Sequence, residues 1–132
     1  MTLLVPNVGE GRMLKAIVNH TAPENPILKL FTNNITPAET DTASTYTEAS
    51  GFGYSAITLT GTSWTITEAA PSDASFAQQT FTFTGNLGNV YGYFIVQATS
   101  GILIWAERFS DGPYNIVNNG DQIKITPKLT LD

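Results

Sequence analysis

The amino-acid sequence predicts an all-β fold, an antiparallel β-sandwich or jelly-roll-like barrel of seven or eight strands with a short N-terminal helix. Three observations predict it. From Ala56 onward apolar residues recur at every second position, glycine, proline and asparagine interrupt these runs at short intervals, and a helical period is visible only before residue 40. At 132 residues the chain reads as a single domain, 1–132, with residues 1–25 as an N-terminal arm and helix.

Taken in order, Asn7 stands three residues before Glu10, the spacing of a capping box, and Met13, Leu14, Ile17 and Val18 recur on one helical face. An amphipathic helix from about Val8 to Val18 is expected, closed by Pro23 and Pro26, because proline lacks the backbone donor and pushes its predecessor out of helical geometry. Ile27 to Phe31 reads as a strand. Thr36-Pro37-Ala38-Glu39 reads as one helical turn, capped by Thr36, with Pro37 at the first position. Thr40 to Ser55, rich in Thr, Ser, Ala and Gly, reads as a surface loop.

Apolar residues occupy odd positions in Ile57-Thr58-Leu59-Thr60 and even ones in Trp64-Thr65-Ile66-Thr67, so the register must slip near Gly61 through a tight turn or bulge. Thr80-Phe81-Thr82-Phe83-Thr84 alternates cleanly, as a half-buried antiparallel strand does. Val90 to Val96 and Ile102 to Ala106 are apolar on both faces and therefore central or covered twice, with Ala98 to Gly101 as the hairpin between them. Tyr114 to Val117 is the next strand, and Asn119-Gly120 is the turn into the last. That last strand runs through Ile123, Ile125, Leu129 and Leu131, and Pro127 within it marks an edge.

Composition excludes several classes of function. Six basic against eleven acidic groups give a net charge of −5, which opposes the phosphate neutralisation that nucleic-acid binding requires. No apolar run approaches the roughly 20 residues of a membrane span, and the start of the chain lacks the features of a signal peptide, so a protein with neither nucleic acid nor membrane as partner is expected. Between Lys29 and Arg108 there is no basic residue, while Glu39, Asp41, Glu48, Glu68, Asp73 and Glu107 are all acidic. This middle is expected to face solvent, leaving the termini to a partner.

Catalysis is not expected. His20 is the only histidine and there is no cysteine, so neither a nucleophile–base set nor a metal cluster has a local signature, and no metal or other cofactor is implied. Glu107, Asp111 and Asp121 are the one conceivable carboxylate group for acid–base work. Asp111-Gly112-Pro113 and Asn118-Asn119-Gly120-Asp121 share only composition with calcium loops and read as turns. Trp64 and Trp105 are candidates for stacking on sugar rings. Tyr91 and Tyr93, expected on one strand face, and the strand containing Ile123 and Ile125 are candidates for joining subunits.

Leu3 to Glu10, Leu28 to Asp41, the Gly61-Thr62-Ser63-Trp64 step, Tyr91-Gly92-Tyr93, Trp105 to Phe109 and Gly120 to Lys124 together resemble a family of small tailed-bacteriophage proteins, cyanophage examples included, that are virion components. The similarity runs over most of the chain and contains no catalytic signature. It implies a virion structural protein of the capsid decoration, or cement, type. Such a protein is made in the host cytoplasm, sits as a homotrimer on the capsid surface, and binds and braces the major capsid protein. On that reading Leu3, Leu4, Val5, Leu14 and Ile17 anchor the chain on its partner. The alternative is a tail or fibre carbohydrate-binding module that uses Trp64 or Trp105 for host recognition.

Overall fold

The computed structural model describes residues 3–131. One helix, α1 (Asn7–Ile17), precedes eleven strands: β1 (Pro26–Phe31), β2 (Ile57–Thr58), β3 (Thr65–Thr67), β4 (Ser72–Ser75), β5 (Gln79–Thr82), β6 (Gly88–Val90), β7 (Gly92–Gln97), β8 (Leu103–Arg108), β9 (Tyr114–Ile116), β10 (Gln122–Ile125) and β11 (Lys128–Leu131). Every pairing is antiparallel. They form four sheets, β2-β1-β7-β8, β11-β4-β3, β10-β5 and β6-β9, and none closes into a barrel. The fold is thus mostly β with one N-terminal helix, as the periodicity predicts, but with more strands than seven or eight. Two expected strands are each divided, at Tyr91 and around Pro127, and β4 is additional. Its sequence, Ser-Asp-Ala-Ser, carries no strand propensity, and its pairing on both sides holds it extended.

The four-stranded sheet has core on both faces. Leu28, Leu30, Tyr93, Ile95 and Trp105 belong to the larger cluster, while Phe31, Phe94, Val96, Leu103 and Ala106 belong to the second. All six residues of β7 are buried, which explains the apolar run Tyr93–Val96 within it. A register shift at Ile95/Val96 inserts Ile104 opposite them, and beyond it Leu103 rejoins the face of Ala106. The expected hairpin forms, with Gln97 N–H donating to Ile102 O at 3.0 Å, Gly101 N–H to Gln97 O at 2.9 Å, and Gly101 at φ +70°.

The second cluster is covered by the segment expected to be a surface loop. Tyr46 stacks on Phe94 at 5.0 Å, packs tilted on Phe31 at 5.0 Å, and donates its hydroxyl to Asp41 Oδ2 at 2.8 Å. Burial pushes that hydroxyl above the ordinary tyrosine range, and Asp41 pushes it the same way. Tyr46, with the half-buried Ala43 beside it, provides this cover from a segment otherwise poor in large apolar residues, which is why hydropathy alone missed it. The expected helical turn at Thr36–Glu39 is instead a turn in which Asp41 N–H donates to Ala38 O at 3.0 Å and the Asp41 carboxylate accepts from Ala38 N–H at 2.8 Å.

Helix α1 lies within a residue of its expected bounds, but Pro6, not Asn7, is its cap and no side chain caps it. Asn7 N–H donates to Glu39 O at 2.9 Å, so a tertiary contact replaces the capping box. The helix ends at Ile17, and Asn19, whose φ of 57° is left-handed, turns the chain away before either proline acts. It meets β8 through Gly9, where an added Cβ would fall 2.3 Å from Ile104 O. After the helix, Glu24 ties three segments together. It accepts from Thr99 N–H at 2.6 Å and Ser100 N–H at 2.7 Å in the β7–β8 turn and pairs with Arg12 of α1 at 2.5 Å. The Ser100 backbone bond leads in holding its carboxyl below the usual range.

At the C-terminal end, β10 pairs with β5 and β11 with β4, so the expected last strand serves two sheets, with β11 at an edge. Asn119-Gly120 does not close a hairpin, because β9 pairs with β6 and not with β10. The Asp121 carboxylate accepts from Val117 N–H and Asn118 N–H, both at 2.9 Å, and Gly120 N–H donates to Phe83 O at 2.7 Å. Among the described residues no helix is long and apolar enough to cross a membrane.

Candidate functional site

The sequence-derived site residues separate into two groups by burial. Tyr93, Ile123 and Ile125 lie in the core at 4%, 3% and 6% exposure, so none of them presents a side chain to a neighbour. Ile123 stands opposite Phe81, and Ile125 opposite Gln79, across the β10–β5 pair. Tyr91 and Tyr93 do not share a face. Tyr93 belongs to the larger cluster, whereas Tyr91, in the break between β6 and β7, packs half-buried against the second. The guanidinium of Arg108 sits 5.2 Å over the Tyr91 ring while donating to Ile35 O at 2.8 Å.

The N-terminal residues are in part spent within the chain. Leu4 exchanges two backbone bonds of 3.0 Å with Ala106, which adds a bridge to the free side of β8, and Leu3 and Val5 pack half-buried on the larger cluster. Leu14 and Ile17 are different. They are 64% and 80% exposed, and Val18 beside them is 71% exposed. The helix buries its Gly9 and Met13 side and turns its larger aliphatic side chains outward. Glycine decides this, since the close approach at Ile104 O admits no larger residue there.

A second uncovered apolar surface lies on the β11-β4-β3 sheet, and sequence reasoning missed it. Thr65, Ser75 and Lys128 stand in register on one face, while Ile66, Ala74 and Leu129 stand in register on the other. Leu129 reaches the core, yet Ile66 is 63% and Leu131 67% exposed. Two hollows of about 180 and 300 Å³ meet along Ile66, Ala74 and Leu129 to form an apolar trough, with Leu131 near one end and Trp64 and Trp105 at the other. The sequence signal was half present: Ile66 and Leu131 alternate with threonine as core residues do, but β4, which joins their strands, has no pattern of its own.

The tryptophans diverge. Trp105 is 3% exposed and its indole N–H is buried without a hydrogen-bond partner among the described residues, whereas Trp64 is half-buried, edge-on to Trp105 at 6.1 Å and to Phe76 at 5.2 Å. Both rings line one end of the trough, and Trp64 is the more exposed of the two. The carboxylates are each engaged or placed separately. Burial raises Glu107, which stands opposite Tyr93. Asp111 accepts from the Tyr114 hydroxyl, raising Tyr114 to about 12, and Asp121 is lowered by the Asn118 and Val117 N–H groups. His20 is exposed against Thr21 Oγ1 at 3.2 Å. Among the described residues no group of three or more His, Cys, Asp and Glu side chains is arranged to hold a metal ion.

The acidic middle faces solvent only in part. Glu39 and Glu68 are exposed, but Glu48 pairs with Lys29 at 3.0 Å and Asp73 with Lys128 at 3.5 Å. Comparison of the chain with protein-family models, curated proteins and solved structures finds no match.

Proposed function

We propose that the chain is a structural component of a tailed-phage virion, a capsid decoration protein that assembles as a homotrimer and binds and braces the shell of major capsid protein. The observation that carries this reading is the pair of uncovered apolar surfaces, the α1 face and the β11-β4-β3 trough, on a β domain whose main sheet is covered on both sides. Such surfaces on a low-charge domain are where other protein of a particle would pack. The sequence resemblance over most of the chain supports the virion context. In this reading the short sheets form an open sandwich, and the α1 face is one place where the chain meets other protein.

The test is co-sedimentation of the purified protein with capsids that lack it. Saturable binding, together with a higher temperature of shell disruption, is expected; no co-sedimentation at any protein concentration overturns the reading. The alternative, a tail or fibre module that binds carbohydrate, rests on Trp64 alone, because Trp105 is buried. Its readout is tryptophan fluorescence during glycan titration, abolished by Trp64→Ala.

A further inference from the structure

We propose that α1 of one copy of this chain packs in parallel against α1 of a second copy, with Leu14 and Val18 in the seam and Glu10 of each copy beside the partner's Lys15. Asn7, Gly11, Leu14 and Val18 are spaced four, three and four residues apart, which is the spacing of a coiled-coil seam, and they lie on the side of the helix turned away from Gly9 and Met13. Leu14 and Val18 are exposed, and at Gly11 an added Cβ would meet nothing within 4 Å. Gly11 thus leaves a notch in the seam, and a hollow of about 250 Å³ lined by Val8, Gly11, Arg12, Lys15 and Ile102 continues it on one flank. The partner's Leu14 fills that notch as a knob fills a hole. Because Gly9 already docks α1 on β8, the pairing orders no further backbone.

Charge selects the occupant and its direction. Glu10 directly precedes Gly11 and Lys15 directly follows Leu14, so the two charges stand on opposite flanks of the seam, five residues apart. That is the offset at which flanking side chains of two parallel helices meet, so Glu10 reaches the partner's Lys15, and Lys15 the partner's Glu10. Both side chains are exposed and neither is in an ion pair among the described residues, while Arg12 is engaged by Glu24. An antiparallel pair would instead gather both glutamates on one flank and both lysines on the other, with like charges together. The face is therefore complementary to itself in one direction only, as a contact between identical copies requires. The same pairing repeats about a two-fold or a three-fold axis running along the helices. The inference rests on the reading of the chain as a self-assembling component, and it assigns α1 to the contact between copies and not to the shell.

The experiment is solution mass by light scattering over a concentration series, for the full chain and for Leu14→Asp, followed by cross-linking to read the direction. Leu14 is exposed, so the fold is expected to survive, as far-UV circular dichroism checks; Val18→Asp replaces the variant if it does not fold. The wild type is expected to associate, and Leu14→Asp to lose at least about tenfold in association constant. Because the chain has no cysteine, Val18→Cys introduces a single thiol. In the parallel pair the two thiols lie across the seam, and diamide oxidation is expected to link them; in an antiparallel pair they would sit at opposite ends of the contact, too far apart to bridge. Glu68→Cys, at an exposed position outside α1, is the control. A wild type that stays monomeric throughout, Leu14→Asp associating like the wild type, or Val18→Cys linking no faster than Glu68→Cys overturns the proposal. Shell binding is read separately: a chain that associates this way yet ignores capsids sinks the decoration reading and leaves this one standing, whereas a monomer whose capsid binding is lost in Leu14→Asp gives the face to the shell and overturns this one alone.

Discussion

The four-stranded sheet β2-β1-β7-β8 and the three-stranded sheet β11-β4-β3 are both antiparallel, yet their apolar side chains have opposite fates. In the first, β7 lies between two strands, with the larger core on one face and the loop carrying Tyr46 on the other, so Phe94 and Ile95 are both buried. In the second, the face of Ile66, Ala74 and Leu129 meets the core only at one side, and among the described residues none covers Ile66, which is 63% exposed. Alternation assigns a residue to a face; whether that face is dry depends on what crosses it. An apolar face left wet is a place where a second molecule gains most by packing.

Truncation is the most direct way to break this comparison. Ile95→Ala in the doubly covered sheet is expected to cost about 2 to 5 kcal/mol, read as a shift in urea midpoint at unchanged slope. An effect under about 1 kcal/mol would mean that β7 is less enclosed than its burial states. Next in size is Gly9→Ala. Alanine is the better helix former by about 1 kcal/mol, but its Cβ would meet Ile104 O at 2.3 Å, so a net loss of about 1 to 3 kcal/mol is expected. A gain in thermal midpoint would show that α1 does not dock through this glycine.

Two carboxylates sharpen the comparison through pH. Glu24 is lowered, so its stabilising contribution is complete above the ordinary value of 4.5 and is lost as pH falls through the folded value. Glu107 is raised by burial, so its cost is absent below 4.5 and grows as pH rises through its folded value. Glu24→Gln is therefore expected to lower the urea midpoint at neutral pH and Glu107→Gln to raise it, with both differences shrinking in acid. Parallel shifts of one sign would contradict the assigned causes. The smallest effect is expected from Ile66→Ala, within about 0.5 kcal/mol of the wild type in the monomer. A larger loss would mean that the trough face is covered within the chain.

Much of the local structure was legible. The doubly apolar strands, the hairpin at Ala98 to Gly101, the alternation of Phe81 and Phe83 and the approximate span of α1 all follow from nearest-neighbour pattern. The site was less so. Leu14 and Ile17 are exposed, while Tyr93, Ile123, Ile125 and Trp105 turned out to be core residues, because a tyrosine, an isoleucine or a tryptophan on a strand has the same local signature on a surface as in a core.

By itself the sequence determined a β-rich chain with one early helix, turns at its glycines and asparagines, and a surface poor in charge, since these depend on period, backbone freedom and composition. The tertiary structure decided which apolar faces are covered. Gly9 sets how α1 lies on β8, Tyr46 closes one face of the main sheet, and pairing on both sides makes a strand of Ser72–Ser75. Each of these outcomes depends on contacts between residues far apart in the chain, which no local pattern encodes.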